Sequence, residues 1–417
     1  MGLFDYLQIN RGSERLAVGL ADVGLRVLTA PFRRGRDDGR PPRAPARVLV
    51  LRLERIGDLL MAFDALADLR AGMPGAHITL VVGSWNQSLA RAMGVADAVE
   101  CLDAPWLSRG APRLSWRACV SRALGWRRGN YDLGINLEPD IRSNLLLVCS
   151  GAVRRLGFYT AGGGAVLTHA AAYDPKAHTH ANASGLVRMA LGDTPTRGSG
   201  TAEGFAPASA LSRLQLPDAA RHRAQQVLAP ASGSPCIGIH ASGGRAIKQW
   251  HPGRFAEVAT ALGREYRATI VLTGTDDERG LVRRVRDGVE SDVRTLDLCG
   301  NGDLLDLAAV LEQLKVFVTG DTGPMHLAAA VGTPVVAIFG PSDPARYAPL
   351  TRDGLIVRID LPCSPCNRIR HPPQRCVGHV PDCLDGVTVE QVVAAARDLL
   401  GKRMMPVRRD TGGVDHS

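Results

Sequence analysis

The sequence predicts an α/β protein built from two doubly wound parallel sheets, and three observations carry this. Short apolar runs alternate with helical segments twice along the chain, from Arg47 and again from Cys236; such alternation gives parallel strands with helices on both faces. At 417 residues the chain is longer than a single core usually supports. The stretch Phe317 to Gly340 reads as strand, tight Gly320-Asp321-Thr322-Gly323 turn, helix opened by Pro324, and second strand.

Residues 1–45 read as an N-terminal amphipathic and basic extension. Leu16, Leu20, Val23 and Val27 fall on one helical stripe. Arg33, Arg34, Arg36, Arg40 and Arg43 follow in a Pro/Gly-rich segment. A stripe followed by a basic cluster suits peripheral contact with an anionic membrane, and equally suits packing on the protein's own core. Asp22 and Arg26 exclude a spanning helix, and no apolar run reaches the roughly 18 residues that one needs. Met1 to Asn10 lacks the basic start and apolar core of a signal peptide. A cytoplasmic chain with its nine cysteines as thiols is therefore expected.

Residues 46–192 read as the first Rossmann-like domain. Strands are expected at Val48–Leu51, Ile78–Val82, Asp97–Leu102 and Asp132–Leu137, with a helix over Asp58–Arg70 and a flexible loop over 161–170. Residues 193–235, rich in Gly, Ser, Ala and Pro, form a linker with one helix near Pro217–Leu228. Residues 236–400 form the second domain and 401–417 a tail. Strands are expected there at Cys236–His240, Ala268–Thr273 and Arg294–Leu298. Helices are expected at Arg254–Arg264, Asp276–Gly288 and Asp303–Leu314.

The net charge of +9 is unevenly spread. Between Trp106 and Asn130 there are six arginines, including Arg117, Arg122 and Arg127, with no acidic residue and with Trp106, Trp116 and Trp126 interleaved. Arginine forks grip phosphates and carboxylates and tryptophans favour the membrane interface, so an anionic lipid-linked partner is expected. A solvated basic helix with its tryptophans turned inward is the plainer reading. No nucleic-acid motif accompanies the charge.

Four loops at strand ends carry chemistry. Asp58, in Arg55-Ile-Gly-Asp58, is a helix cap or a base. Lys248 lies between the Ser242-Gly243-Gly244 turn and a helix start, where an ammonium neutralises phosphate. Asp276 and Asp277 follow a strand, where an acid accepts ribose hydroxyls. In the fourth loop, Thr322 and Gly323 open a helix whose free N–H groups suit phosphate, beside Asp321 and His326.

With these residues in place, the chain resembles glycosyltransferase family 9, the lipopolysaccharide heptosyltransferases. The match runs through Gly57-Asp58, Lys248-x-Trp250, Asp321-Thr-Gly-Pro-Met-His326-Leu-Ala-Ala, Gly332-Thr-Pro and Phe339-Gly-Pro-Ser-Asp343, across roughly residues 46 to 398. The resemblance implies a GT-B fold. It also implies inverting transfer from a nucleotide-diphosphate sugar, typically ADP-heptose, to a lipopolysaccharide core acceptor, with no cofactor required for catalysis. It aligns Asp58 with the general base. Ser242, Gly243, Lys248, Thr322 and Gly323 align with the donor phosphate site. Asp321 and His326 align with the donor sugar, and Asp276 or Asp277 with the nucleoside. Arg117, Arg122 and Arg127 are expected to guide the acceptor. The chain departs from the commonest pattern at Met61-Ala62-Phe63 and in its glycine-rich loop before Lys248.

Cys363, Cys366, Cys376 and Cys383 have the spacing of a structural thiolate site for zinc or iron. Resemblance to the autotransporter heptosyltransferases, which hold iron in a cysteine finger, points the same way. Two other functions fit the same residues: a nucleotide-sugar epimerase or hydrolase on this scaffold, and a non-catalytic membrane adaptor.

Overall fold

The structure, a computed structural model, describes residues 4, 6–7, 9, 12–29, 45–107, 114–192 and 211–404. The arginines at 33, 34, 36, 40, 43, 109 and 113, residues 193–210 of the linker and the tail from 405 lie outside these. The chain groups into two compact units. The first is Met1–His222 with Gly302–Ala309 and Pro344–Leu350; the second is Arg223–Asn301 with Val310–Asp343 and Thr351–Ser417.

The first unit holds a six-stranded parallel sheet of β1 (Arg47–Arg52), β2 (His77–Val82), β3 (Ala98–Cys101), β4 (Leu133–Asn136), β5 (Arg154–Phe158) and β6 (His169–Ala171), in the order β3-β2-β1-β4-β5-β6. Val50 pairs with Leu80 on one side and Ile135 on the other. Val48 to Leu51 are wholly buried, as a central strand covered by helices on both faces requires. The helices are α1 (Gly12–Thr29), α2 (Ile56–Met61), α3 (Phe63–Gly72), α4 (Gln87–Ala92), α5 (Trp116–Gly125), α6 (Ile141–Cys149) and α7 (Thr179–Leu191).

Two local expectations change. The helix expected from Asp58 to Arg70 is two helices that break at Ala62. The loop expected over 161–170 turns through Gly162 and Gly163, both at positive φ, and leads into β6. His169 and Ala170 on β6 are exposed, so this edge strand shows no apolar run to read.

The second unit repeats the order: β12-β11-β10-β7-β8-β9, all parallel. Its strands are β7 (Cys236–His240), β8 (Thr269–Leu272), β9 (Thr295–Asp297), β10 (Val316–Gly320), β11 (Val335–Ile338) and β12 (Gly354–Val357). The remaining helices along the chain are α8 (Asp218–Leu228), α9 (Pro252–Tyr266), α10 (Arg279–Gly288), α11 (Leu304–Gln313), α12 (Gly323–Val331), α13 (Pro344–Tyr347), α14 (Asp382–Asp385) and α15 (Val389–Met404). The division between the units falls inside α8, between His222 and Arg223. Residues 344–350 group with the first unit, where the Ala348 carbonyl lies 3.0 Å from His178 Nε2.

Candidate active site

In each sheet the strand order reverses between its first and fourth strands, and ligands of doubly wound folds bind beyond the carboxyl ends there. In the first unit those ends belong to β1 and β4, and they bring together one arginine and three carboxylates. The Arg52 side chain is 2% exposed. Its Nη1 donates to Glu54 Oε2 at 2.9 Å and to the Leu137 carbonyl at 2.8 Å, and its Nε donates to the Asp58 carbonyl at 3.1 Å. Nη2 is buried without a hydrogen-bond partner, 3.9 Å from Asp58 Oδ1.

Asp58 lies in the first turn of α2, and its Oδ2 accepts the Arg55 N–H at 3.1 Å. The capping contact is therefore real, yet the side chain stays 26% exposed. Glu138, buried, accepts from the Leu53 N–H and from the Ser143 hydroxyl. Burial raises the Glu138 carboxyl above the ordinary range. Burial, then the charge of Asp58, raises Glu54 in the same way, although Arg52 opposes the shift. Arg52 is the countercharge of the whole cluster: burial works against its ionised form, but Glu54, Asp58 and Glu138 outweigh that.

The tryptophans and arginines of residues 106–130 divide between two ends of this unit. Trp106 packs on Trp116 with centroids 5.3 Å apart, and the Arg142 guanidinium sits 4.8 Å over the Trp106 ring. Arg142, in the first turn of α6, also pairs with Asp140 just past β4. Arg55 donates to the Leu107 carbonyl, tying this loop to the start of α2. Trp126 turns inward, 4% exposed, and donates to Glu100 at 2.7 Å.

The stripe expected to guide an acceptor is thus only partly where it was expected. Arg117 is exposed at the start of α5. Arg122 donates to the Cys101 carbonyl at 3.3 Å. Arg127 donates to the Cys149 carbonyl at 3.1 Å. Cys149 ends α6, which starts beside the carboxyl end of β4 and runs away from it. Arg127 therefore lies toward the amino-terminal ends of the strands, about 13 Å of helix rise from Asp140. Composition shows the basic run but not which end of the strands each arginine meets. Arg142, Arg52, Glu54 and Glu138 were not singled out by the sequence.

In the second unit β7 and β10 are neighbours, with Thr319 in register with His240. Their loops bring the expected donor residues together. Lys248 Nζ lies 2.8 Å from Asp321 Oδ2, and both side chains are largely buried. Trp250, 1% exposed, anchors the Lys248 loop by packing edge-on against Phe255 at 5.0 Å and donating to the Val387 carbonyl. Gly243 is required by the crossing of two backbones: a Cβ there would meet the Lys248 carbonyl carbon and oxygen at 2.5 Å.

Thr322 precedes α12 in extended conformation, and its side chain makes no cap to the helix. Its hydroxyl lies 3.2 Å from that of Thr319. Gly323 is the first residue of α12 and His326, buried, the fourth. A helix start with no side-chain cap, next to a lysine, is a favourable place for an anion.

At the end of β8, Asp276 is exposed and paired with Arg279, and Asp277 is also exposed. It is Glu278 that turns inward. It accepts from the Ser242 hydroxyl and, at 2.9 Å, from the Thr275 N–H. Burial alone would raise its carboxyl, but the Ser242 and Thr275 bonds outweigh burial and lower it. Three successive acids after a strand are the sequence signal for this position, and only the fold shows which one faces the loop of Ser242.

Cys363, Cys366, Cys376 and Cys383 lie in the second unit. All four thiols are free, and Cys383 is buried. Burial pushes its thiol up to about 11, with the Cys366, Cys376 and Cys363 thiols adding to the shift. Among the described residues no group of three or more His, Cys, Asp or Glu side chains is set to hold a metal ion.

Comparison with known proteins decides the family. Residues 120–376 match the sequence profile of glycosyltransferase family 9 (heptosyltransferase). The chain belongs to glycosyltransferase family 9. Lipopolysaccharide heptosyltransferase 2 of Escherichia coli K12 is 25% identical over 316 residues, covering 75% of this chain and 88% of that protein. The Salmonella typhimurium lipopolysaccharide heptosyltransferase 2 is 26% identical over 317 residues, with the same coverage. Two solved structures share the fold of this family 9 chain. The Escherichia coli ADP-heptose lipopolysaccharide heptosyltransferase II matches with a TM-score of 0.68 at 20% identity, over 86% of this chain and 100% of that one. A family 9 glycosyl transferase from Veillonella parvula matches with 0.72 at 23%, over 87% and 99%. The family 9 fold is GT-B, and the two doubly wound sheets are its Rossmann-like units.

Proposed function

We propose that this family 9 enzyme transfers heptose from ADP-heptose, with inversion, to an anionic lipid-linked glycan of the lipopolysaccharide core type. Asp58 is the general base. Its carboxylate supports this reading because it is part-exposed at a strand end while the other acids of its cluster are pinned to Arg52, Leu53 and Ser143. The acceptor hydroxyl gives its proton to Asp58 as its oxygen bonds to the anomeric carbon. The bond from that carbon to the diphosphate breaks with its electron pair on the leaving oxygen, through an oxocarbenium-like state.

The leaving diphosphate gains negative charge. Lys248 and the uncapped start of α12 offset it, with Thr322 and Gly323 supplying backbone donors. Ser242 and Gly243 shape the loop that meets the phosphates. Asp321 and His326 are assigned to the sugar, and the acids after β8 to the nucleoside. The geometry favours Glu278 among those acids, beside the earlier candidates Asp276 and Asp277. Arg117, Arg122 and Arg142 are the cations assigned to the acceptor, and Arg127 is left out. The reaction takes place at the cytoplasmic face of a membrane carrying the acceptor.

The test is product analysis with ADP-heptose, with and without a lipid A–core acceptor. The proposal expects heptosylated lipid of inverted anomeric configuration. Free heptose or an isomerised nucleotide sugar without acceptor would favour a hydrolase or epimerase, and no turnover at all a binding protein.

A further inference from the structure

Helix α1 is amphipathic in the reverse of the usual sense. Of its charged residues Glu14, Arg15, Asp22 and Arg26, Asp22 is 1% exposed, whereas Leu16, Leu20, Val23, Val27 and Leu28 are 49%, 59%, 45%, 68% and 71% exposed. At about 100° per residue, Val23, Leu16, Val27, Leu20, Gly24, Ala17, Leu28 and Ala21 fill an arc of roughly 160° in which Ser13 is the one polar side chain. These are five of the nine large apolar residues exposed among the described residues.

The opposite face is latched to the first unit. Asp22 Oδ1 accepts the Gly163 N–H at 2.9 Å, and Oδ2 accepts from Tyr6 at 2.6 Å and Arg26 Nε at 3.0 Å. Asn144 holds the receiving loop by donating to the Gly162 carbonyl at 3.0 Å. A Cβ on Gly162 would meet Val18 at 2.6 Å, so the helix lies directly on that glycine. The polar contacts thus fix which way the helix faces, and they turn its apolar arc outward.

We infer that this arc is a membrane-docking surface that inserts into the interface of an anionic bilayer. An apolar patch of this kind on a soluble chain marks an interaction site. Charge decides between a bilayer and a second copy. Arg15 and Arg26 border the arc on one side and Glu14 on the other, and the sequence continues with Arg33, Arg34, Arg36, Arg40 and Arg43 against Asp37 and Asp38, a net positive flank. A second copy would bring the same positive charge against itself, whereas anionic headgroups complement it. The inference builds on the reading of a membrane-borne acceptor and names the element that reaches the membrane.

Sedimentation of the full chain with acceptor-free vesicles tests this independently of turnover. The wild type should bind phosphatidylglycerol/phosphatidylcholine vesicles at least about tenfold more tightly than pure phosphatidylcholine. Leu20→Glu with Val27→Glu should weaken binding to the anionic vesicles by about tenfold or more, with an unchanged melting temperature and unchanged turnover of a short-chain, water-soluble acceptor. Equal binding by the variant, or no vesicle binding by the wild type, overturns the docking role of α1 while leaving the proposed reaction untouched. A wild-type dimer that the double variant converts to monomer, with neither binding vesicles, assigns the arc to a second copy instead. Loss of turnover on the lipid acceptor in a wild type that does bind vesicles counts against the reaction and not against the helix.

Discussion

Lys248 Nζ and Asp321 Oδ2 stand 2.8 Å apart beside the start of α12, so the cation assigned to the donor diphosphate is neutralised within the protein before any ligand arrives. Binding then exchanges one anion for another. Lys248→Ala should weaken ADP by about tenfold or more, since a hydrogen bond between charged groups is worth about 1.5–3 kcal/mol. Asp321→Asn should tighten ADP several-fold while lowering sugar transfer. In the Lys248→Ala background the Asp321 change should no longer tighten ADP, which calorimetric titration of the four proteins would show. Additive effects would mean that the pair does not act as a unit at the site.

Asp58→Asn keeps the side-chain shape and an oxygen for the Arg55 N–H, so α2 should stay folded. Turnover should fall by about 10² or more with ADP affinity nearly unchanged. Steady-state kinetics beside ADP titration separates this from a purely capping role, which would leave turnover intact.

Arg52 is buried with Glu54, Asp58 and Glu138 around it. Arg52→Met strands these carboxylates and should cost about 3–5 kcal/mol in denaturant unfolding at neutral pH. Adding Glu54→Gln should recover part of that loss. A Met variant as stable as wild type would show that the acids are neutral without their partner.

The strands were legible because central parallel strands are apolar on both faces; Val48–Leu51 and Val316–Val318 could be read directly. Asp58, Lys248 and Asp321 were legible because chemistry-bearing residues stood beside glycines at strand ends. Glu138 and Arg52 were not: the roles of both come from the pairing of β1 with β4, which joins residues 85 positions apart. Where Arg127 falls was not legible for a related reason. The fold, and not the spacing of arginines, decides which end of the strands a helix end meets.

His178 Nδ1 accepts the His180 N–H, which leaves Nε2 to donate to the Ala348 carbonyl and keeps the ring neutral. Burial pushes its pKa from 6.5 down to about 4. The stability this contributes is fully present above pH 6.5 and is lost as pH falls toward 4, at up to about 1.4 kcal/mol per pH unit. His178→Gln should be less stable at pH 7 but lose less on acidification across that window. Thermal melts at a series of pH values compare the two slopes; parallel slopes would mean that His178 titrates normally in the fold.

Gly243→Ala adds one carbon against the Lys248 backbone, which has no flexible end to move aside. The loop should shift, costing about 1–3 kcal/mol of stability and weakening ADP. ADP titration and melting of this variant would check both.

The bond between Asp22 and the Gly163 N–H spans 141 residues of chain. At a synthesis rate of about 5–20 residues per second, α1 leaves the ribosome roughly 7–30 s before its receiving loop exists. During that interval Asp22 has only Tyr6 and Arg26, from its own segment, to pair with, and neither dictates which way the helix turns relative to the sheet. The direction in which α1 finally points is therefore settled late in translation, when the first sheet has closed behind it.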